Sequence, residues 1–145
     1  MRVIAIDGPA GSGKSTVARA LASRLGLDYL DTGAMYRGVT FAVLRRQMDP
    51  DEEEPVAAVA RDLELEVVDA QVTVDGVDAS LEIRGPEVTA VVSIVSAHGP
   101  GRTHLVSRQR TWASSDTTTP SESAARRSTC SHDSPHVVSR SAIFR

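Results

Sequence analysis

Lys14 is the only lysine in a chain of 145 residues whose other basic side chains are all arginine. It stands in Gly8-Pro9-Ala10-Gly11-Ser12-Gly13-Lys14-Ser15-Thr16, and the run from Gly8 to Ser15 has the spacing G-x-x-x-x-G-K-[ST]. Glycines at these places let a backbone turn tightly and approach an anion with no Cβ in the way. Consecutive N–H groups then converge on a phosphate as a nest, and a helix starting near Lys14 adds its positive end. The Lys14 ammonium is compact enough to bridge neighbouring phosphates, and the Ser15 hydroxyl is placed to ligate Mg2+. The chemistry implied is holding and transferring a phosphoryl group, with Gly8 to Thr16 as the cradle and Lys14 as its catalytic cation.

Such a loop needs a strand before it and a helix after it, and both are expected. Val3 to Ile6 is a short, β-branched apolar run ended by Asp7-Gly8-Pro9. Beyond Lys14, Val17, Ala18, Leu21, Ala22 and Leu25 recur at helical spacing, and Gly26 closes the segment. Strand, glycine loop and helix open a βαβ unit. Asp28 to Asp31 reads as a second strand, and Thr32-Gly33 leads into a helix with an apolar face of Met35, Val39, Ala42 and Val43. The acidic run Asp51 to Glu54 reads as a solvated turn before a short Ala/Val helix. Alternation from Leu63 to Ile83, with Asp75-Gly76 as a hairpin signal, gives a small antiparallel insertion over about 63–84. A helix follows Gly85-Pro86, Gly99-Pro100 breaks it, and a last helix runs through Leu105 to about Trp112.

Bulk composition narrows the function further. Aromatic residues make up 3% of the chain, so its core must come from Val, Leu, Ile and Ala. A net charge of −3 gives no basic field for nucleic acid, so a polyanion must be held by a few placed cations and amides. The single cysteine, Cys130, rules out an intramolecular disulfide and fits a reducing compartment. The N-terminal apolar run is too short for a signal peptide, and no stretch has membrane-spanning length. The expectation is a soluble cytoplasmic monomer acting on small molecules, without a nucleic-acid or membrane partner.

Two segments together carry a family resemblance. Ile6 to Thr16 (IDGPAGSGKST), followed by Tyr29 to Arg37 (YLDTGAMYR), resembles the cytidylate kinase, or (d)CMP kinase, family. The resemblance continues through Glu82-Ile83-Arg84, Val88 to Ser93, Arg102 and Ser107 to Trp112, covering about residues 2–113. It implies an α/β fold: a P-loop nucleoside monophosphate kinase core, with a parallel sheet, flanking helices and a small antiparallel β insertion, incomplete at its C-terminus. It implies transfer of the ATP γ-phosphoryl group to CMP or dCMP with Mg2+. On this resemblance Thr32 and Arg37 contact the acceptor phosphate, Ser93 helps recognise the cytosine, and Arg102 lies near the base. Arg108 and Arg110 match an element whose role stays unassigned. Read without the resemblance, Asp31 and Thr32 equally suit a helix cap, and Arg37 a solvated helix face. Likewise Ser93 suits a helix–helix contact, and Arg102 a partner for a nearby carboxylate.

The sequence departs from the family after residue 113. A Gly-Arg-Asp element, a lid with further arginines and a closing strand and helix are expected there, and Ser114-Ser115-Asp116-Thr117 stands instead. Residues 114–145 read as a disordered, non-family tail of the kind a reading-frame shift produces. Arg126-Arg127 has no helical pattern around it and does not read as a lid. Cys130, His132 and His136 have the residue types of a metal site, and His132, Asp133 and Ser134 those of a triad, but adjacency in a Ser/Pro-rich run makes neither. Three readings therefore stay open: a working CMP/dCMP kinase, a catalytically impaired nucleotide-binding fragment of one, or another small-molecule P-loop kinase.

Overall fold

A computed structural model describes residues 3–9, 11–68, 70–114 and 136–139. Ala10 of the glycine loop and the cluster at Cys130 to Ser134 lie outside the described residues. Among those described, the chain is mixed α/β, with five α-helices and a small antiparallel sheet.

The N-terminal elements follow the apolar pattern. Strand β1 spans Val3–Ile6, helix α1 Lys14–Leu25 and strand β2 Asp28–Asp31. The apolar residues that helix α1 buries are Ala18 and Ala22, against Ile4, Ile6, Leu27 and Tyr29. Val17 and Leu25, which the helical period placed on the same apolar face, are 58% and 52% exposed. The face that meets the sheet is a narrow i, i+4 edge of small residues, not the wide stripe that the spacing suggested.

Helix α2 (Thr32–Arg45) starts without any linker after β2. The Asp31 side chain accepts from Ala34 N at 3.1 Å, so the capping reading of this aspartate holds. Helix α2 is the shaft of the larger core: Met35, Val39, Ala42 and Val43 are buried with Val56 and Val59, Leu65, Val72 and Val74, Ile83, Val95 and Leu105 from later in the chain. Helix α3 (Glu53–Asp62) begins inside the acidic run expected to be a turn. Glu53 and Glu54 occupy its first turn, where negative charge complements the helix dipole.

The insertion has three antiparallel strands: β3 (Leu65–Val68), β4 (Gln71–Val74) and β5 (Val77–Asp78). Asp75 and Gly76 both have positive φ, 49° and 75°, as a tight two-residue hairpin requires. A 3-10 turn at Glu82–Arg84 leads into α4 (Pro86–Ala97), with Pro86 in its first turn. Helix α5 (Gly99–Ser114) starts at the Gly-Pro pair that ends α4. A Cβ built on Gly101 would lie 3.8 Å from Ala57 Cα and from Ala60 Cβ of α3, an ordinary contact distance. Arg108 fastens α5 to the insertion by donating to the carbonyls of Leu63 and Leu65, the latter at 3.0 Å.

The sequence reading expects no element after residue 113, and here the structure differs. Strand β6 (His136–Ser139) runs parallel to β1 on one side and β2 on the other. Val3 to Ile6 and Asp28 to Asp31 pair with the same four β6 residues. One extended segment thereby satisfies the backbone edges of both strands, which are not neighbours of each other.

Candidate functional site

The glycine loop is built as its residue types require. Gly11 and Gly13 have φ of 75° and 79°, where an L side chain is strained. Asp7 Oδ1 accepts from Gly8 N at 2.8 Å and fixes the entry to the loop. Gly13 caps α1, so the first N–H groups of the helix have no intrahelical partner and belong to the loop. Lys14 is 9% exposed, and its Nζ curls back to donate to the Pro9 carbonyl. An anion entering the loop competes with that carbonyl for the ammonium, and a charged acceptor is the stronger partner.

A cavity of about 380 Å³ opens in front of the loop. Its walls are Gly11 to Thr16 and Arg19 of α1, Asp31, Gly33, Ala34 and Arg37 at the start of α2, and Ile83-Arg84 of the 3-10 turn. Two helix N-termini, those of α1 and α2, thus contribute to one space. Its ionisable walls are Lys14, Arg19, Arg37 and Arg84 against the single carboxylate of Asp31. Such an excess of cations at close quarters suits a polyanion.

Arg37 is anchored from α2 to the segment that closes the cavity. Its Nη1 donates to the Ile83 carbonyl at 3.1 Å and to Thr89 Oγ1 at 3.0 Å. It is therefore not merely a solvated charge on a helix face, and among the described residues these Nη1 bonds leave its Nε and Nη2 donors for an anion. Thr32 is 3% exposed at the α2 N-terminus, beside the cavity-lining Gly33. Ser93 is exposed on α4, and Arg102 is half-buried on α5. Neither is among the residues that line the cavity.

Two further cations join the expected ones. Arg19 lies with its guanidinium carbon 5.3 Å from the centre of the Tyr29 ring and Nη2 3.9 Å from Asp31 Oδ2. Four residues after Ser15, it shares that residue's face of α1, and this spacing was the available signal. Arg84 comes from the 3-10 turn, and the signal for it was the Glu82-Ile83-Arg84 run that carries part of the resemblance, to which no role was given.

The oxygen donors suit Mg2+. Ser15 and Asp31 both line the cavity, and a hydroxyl with a carboxylate is a hard-oxygen set. Among the described residues no group of three or more His, Cys, Asp or Glu is gathered to hold a metal. Magnesium fits such a place because it takes few protein ligands and completes its shell with water and substrate phosphates. Among the described residues, no helix is long and apolar enough to cross a membrane.

Comparison with known proteins gives the family. The cytidylate kinase family model matches residues 4–119, a little beyond the end of the resemblance read from the motifs. A cytidylate kinase of Corynebacterium efficiens is 50% identical over 115 residues, covering 77% of this chain and 50% of that protein. One of Roseiflexus castenholzii is 48% identical over 117 residues, covering 74% and 50% respectively. A bifunctional pantoate ligase/cytidylate kinase of Prochlorococcus marinus is 50% identical over 113 residues, covering 74% of this chain and 23% of that protein. The chain thus spans about half the length of the cytidylate kinases it matches, and less of the bifunctional relatives.

Proposed function

Because the chain belongs to the cytidylate kinase family, we propose that its cavity takes the phosphates of ATP and of CMP or dCMP and transfers the γ-phosphoryl group between them. The observation that carries the proposal is the meeting, in one cavity, of the glycine loop with Lys14 and of the α2 N-terminus with Arg37. One end suits a chain of phosphates, and the other offers a guanidinium to a single phosphate.

In this reading the loop amides and Lys14 hold the β- and γ-phosphates of ATP. Thr32 and Arg37 hold the phosphate of the acceptor, with Ser93 and Arg102 on the base side. An oxygen of the CMP phosphate bonds to the γ-phosphorus, the bond from that phosphorus to the β–γ bridging oxygen breaks, and ADP leaves as CDP forms. Ser15 and Asp31 are the residues that would hold Mg2+, which when bound neutralises charge on the β- and γ-phosphate oxygens. The protein's part is positioning and electrostatics, since the reaction asks little covalent chemistry of it. The proposed fold is a P-loop nucleoside monophosphate kinase core, with the family match ending at residue 119. The proposed working form is a cytoplasmic monomer.

A second reading has its own observation: the chain spans half the length of its cytidylate kinase relatives. It is a nucleotide-binding fragment with negligible turnover. Phosphoryl transfer from ATP to CMP, dCMP, UMP and AMP, with Lys14→Ala as control, decides between the two. Turnover confined to cytidine nucleotides and lost in Lys14→Ala supports the kinase. Nucleotide binding without transfer to any acceptor supports the fragment, and transfer to other acceptors points to a different P-loop kinase.

A further inference from the structure

The two carboxylate oxygens of Asp31 have different neighbours. Oδ1 accepts from Ala34 N at 3.1 Å and caps α2. Oδ2 faces Arg19 Nη2 at 3.9 Å. The Asp31 side chain is 12% exposed, and its carboxylate is the only one in the cavity lining. A metal held by Ser15 and Asp31 therefore has Oδ2 to use, and that oxygen already has a cation beside it.

Arg19 comes to this place by the pattern of both elements. Helical side chains lean towards the helix N-terminus, so Arg19 reaches back towards Ser15, one turn earlier. Tyr29 and Asp31, two residues apart on β2, share a face of the strand. The guanidinium carbon lies 5.3 Å from the centre of the Tyr29 ring, and the ring keeps it next to Asp31. The hold is loose. At 3.9 Å the ion pair is too long for a hydrogen bond, and its Arg19 half is 41% exposed. Arg19 Nε is buried with no hydrogen-bond partner among the described residues. A pair of this kind stabilises weakly, whereas a divalent cation brings twice the charge to the same oxygen. Guanidinium and metal repel each other there, so the two compete for Oδ2.

We propose that Arg19 is the resident counter-cation of Asp31 and gives way to Mg2+, so that it sets how strongly the site prefers metal-loaded phosphates over bare ones. This rests on the reading of Ser15 and Asp31 as the residues that would hold the metal. In the metal-free cavity Arg19 offsets the one negative wall, which would otherwise repel a polyanion. Its removal therefore weakens bare phosphates and leaves Oδ2 open to a metal-loaded one.

The test is calorimetric titration of the full chain with tripolyphosphate, once in excess Mg2+ and once in EDTA. Wild type, Arg19→Gln, Asp31→Asn and the double variant are compared, and the ratio of the two affinities is the metal preference. Asparagine caps a helix as well as aspartate does, so Asp31→Asn spares the start of α2. Arg19→Gln is expected to raise the metal preference about fivefold, the scale of one half-exposed charge. Made in the Asp31→Asn background, it is expected to change that preference by less than about twofold. A rise of less than about twofold in the wild-type background, or a fall, overturns the proposal. So does an equal rise in both backgrounds, which marks Arg19 as a direct phosphate ligand. A metal preference that Asp31→Asn leaves unaltered, or a wild type that binds neither form, overturns the metal-site reading and the role of Arg19 with it. Should Arg19→Gln fail to fold, Arg19→Met, which keeps an apolar stem, decides by the same ratio.

Discussion

Gly38, the residue after Arg37, sets how closely α2 can approach the insertion. A Cβ built there meets Leu65 Cδ1 at 2.6 Å, well inside contact distance. Leu65 is 6% exposed, and its cross-strand partner Val74 is 1% exposed, so the leucine tip has little room to withdraw. Gly38→Ala therefore sets two effects against each other. Alanine in a helix interior gains about 1 kcal/mol over glycine. Overpacking a closed core costs about 1–3 kcal/mol. The net is a destabilisation of about 1 kcal/mol, measured by urea unfolding at unchanged m.

The decisive form is a double-mutant cycle with Leu65→Val, which removes the δ carbons and itself costs roughly 1 kcal/mol. In that background the clash is gone and the helix gain remains. Gly38→Ala should then stabilise by about 0.5–1 kcal/mol, reversing its sign. The same sign in both backgrounds would refute the claim that a close approach of α2 to β3 explains this glycine.

Two other outcomes follow from particular contacts. His104 is held below its usual pKa, first by burial and then by the charges of Arg108 and Arg61. Folding therefore favours the neutral ring, so its contribution is present above the unfolded-state value near 6.5 and is lost as pH falls through the lower folded value. Thermal melts from about pH 7.5 down to pH 5 should show stability falling, less steeply in His104→Gln; equal slopes would exclude this histidine. Ending the chain at Ser114 removes β6 and leaves β1 and β2 without the strand between them. Magnesium tripolyphosphate affinity should fall by more than about tenfold, since the loop hangs from β1; an unchanged affinity would show that β6 does not support the loop.

What the sequence made legible is what local pattern encodes. The bounds of β1, α1 and β2 follow from β-branched runs, helical period and glycine punctuation, Lys14 from motif spacing, and Arg37 from the family resemblance alone. The start of α3 was misread because an acidic run serves a helix N-terminus as well as it serves solvent. The exposure of Val17 and Leu25 depends on how much sheet α1 covers, which no helical period reports. The strand at His136–Ser139 has only Val137-Val138 to announce it, inside a stretch rich in Ser, Thr and Arg. A parallel strand is defined by the edges it joins, here two strands more than a hundred residues upstream. Arg19 and Arg84 were missed for a related reason: in a chain of arginines, the ones that matter are chosen by the fold.

The two ends of the cavity are stabilised separately, and this governs how the site can fail. The glycine loop rests on a thin cluster, Ala18 and Ala22 of α1 over the sheet. Arg37 rests on the large core that α2 shares with the insertion and the later helices. They meet where β2 ends at Asp31 and α2 begins at Thr32, with no intervening residue to absorb motion. Asp31 caps α2, lines the cavity and lies 3.9 Å from Arg19, so the junction itself is part of the site. Loss of β6 should therefore loosen the phosphate-loop side first, while Arg37 keeps its hold on Ile83 and Thr89. The Arg37 side is thus the sturdier half of the cavity, because its position is set by the large core and not by the sheet.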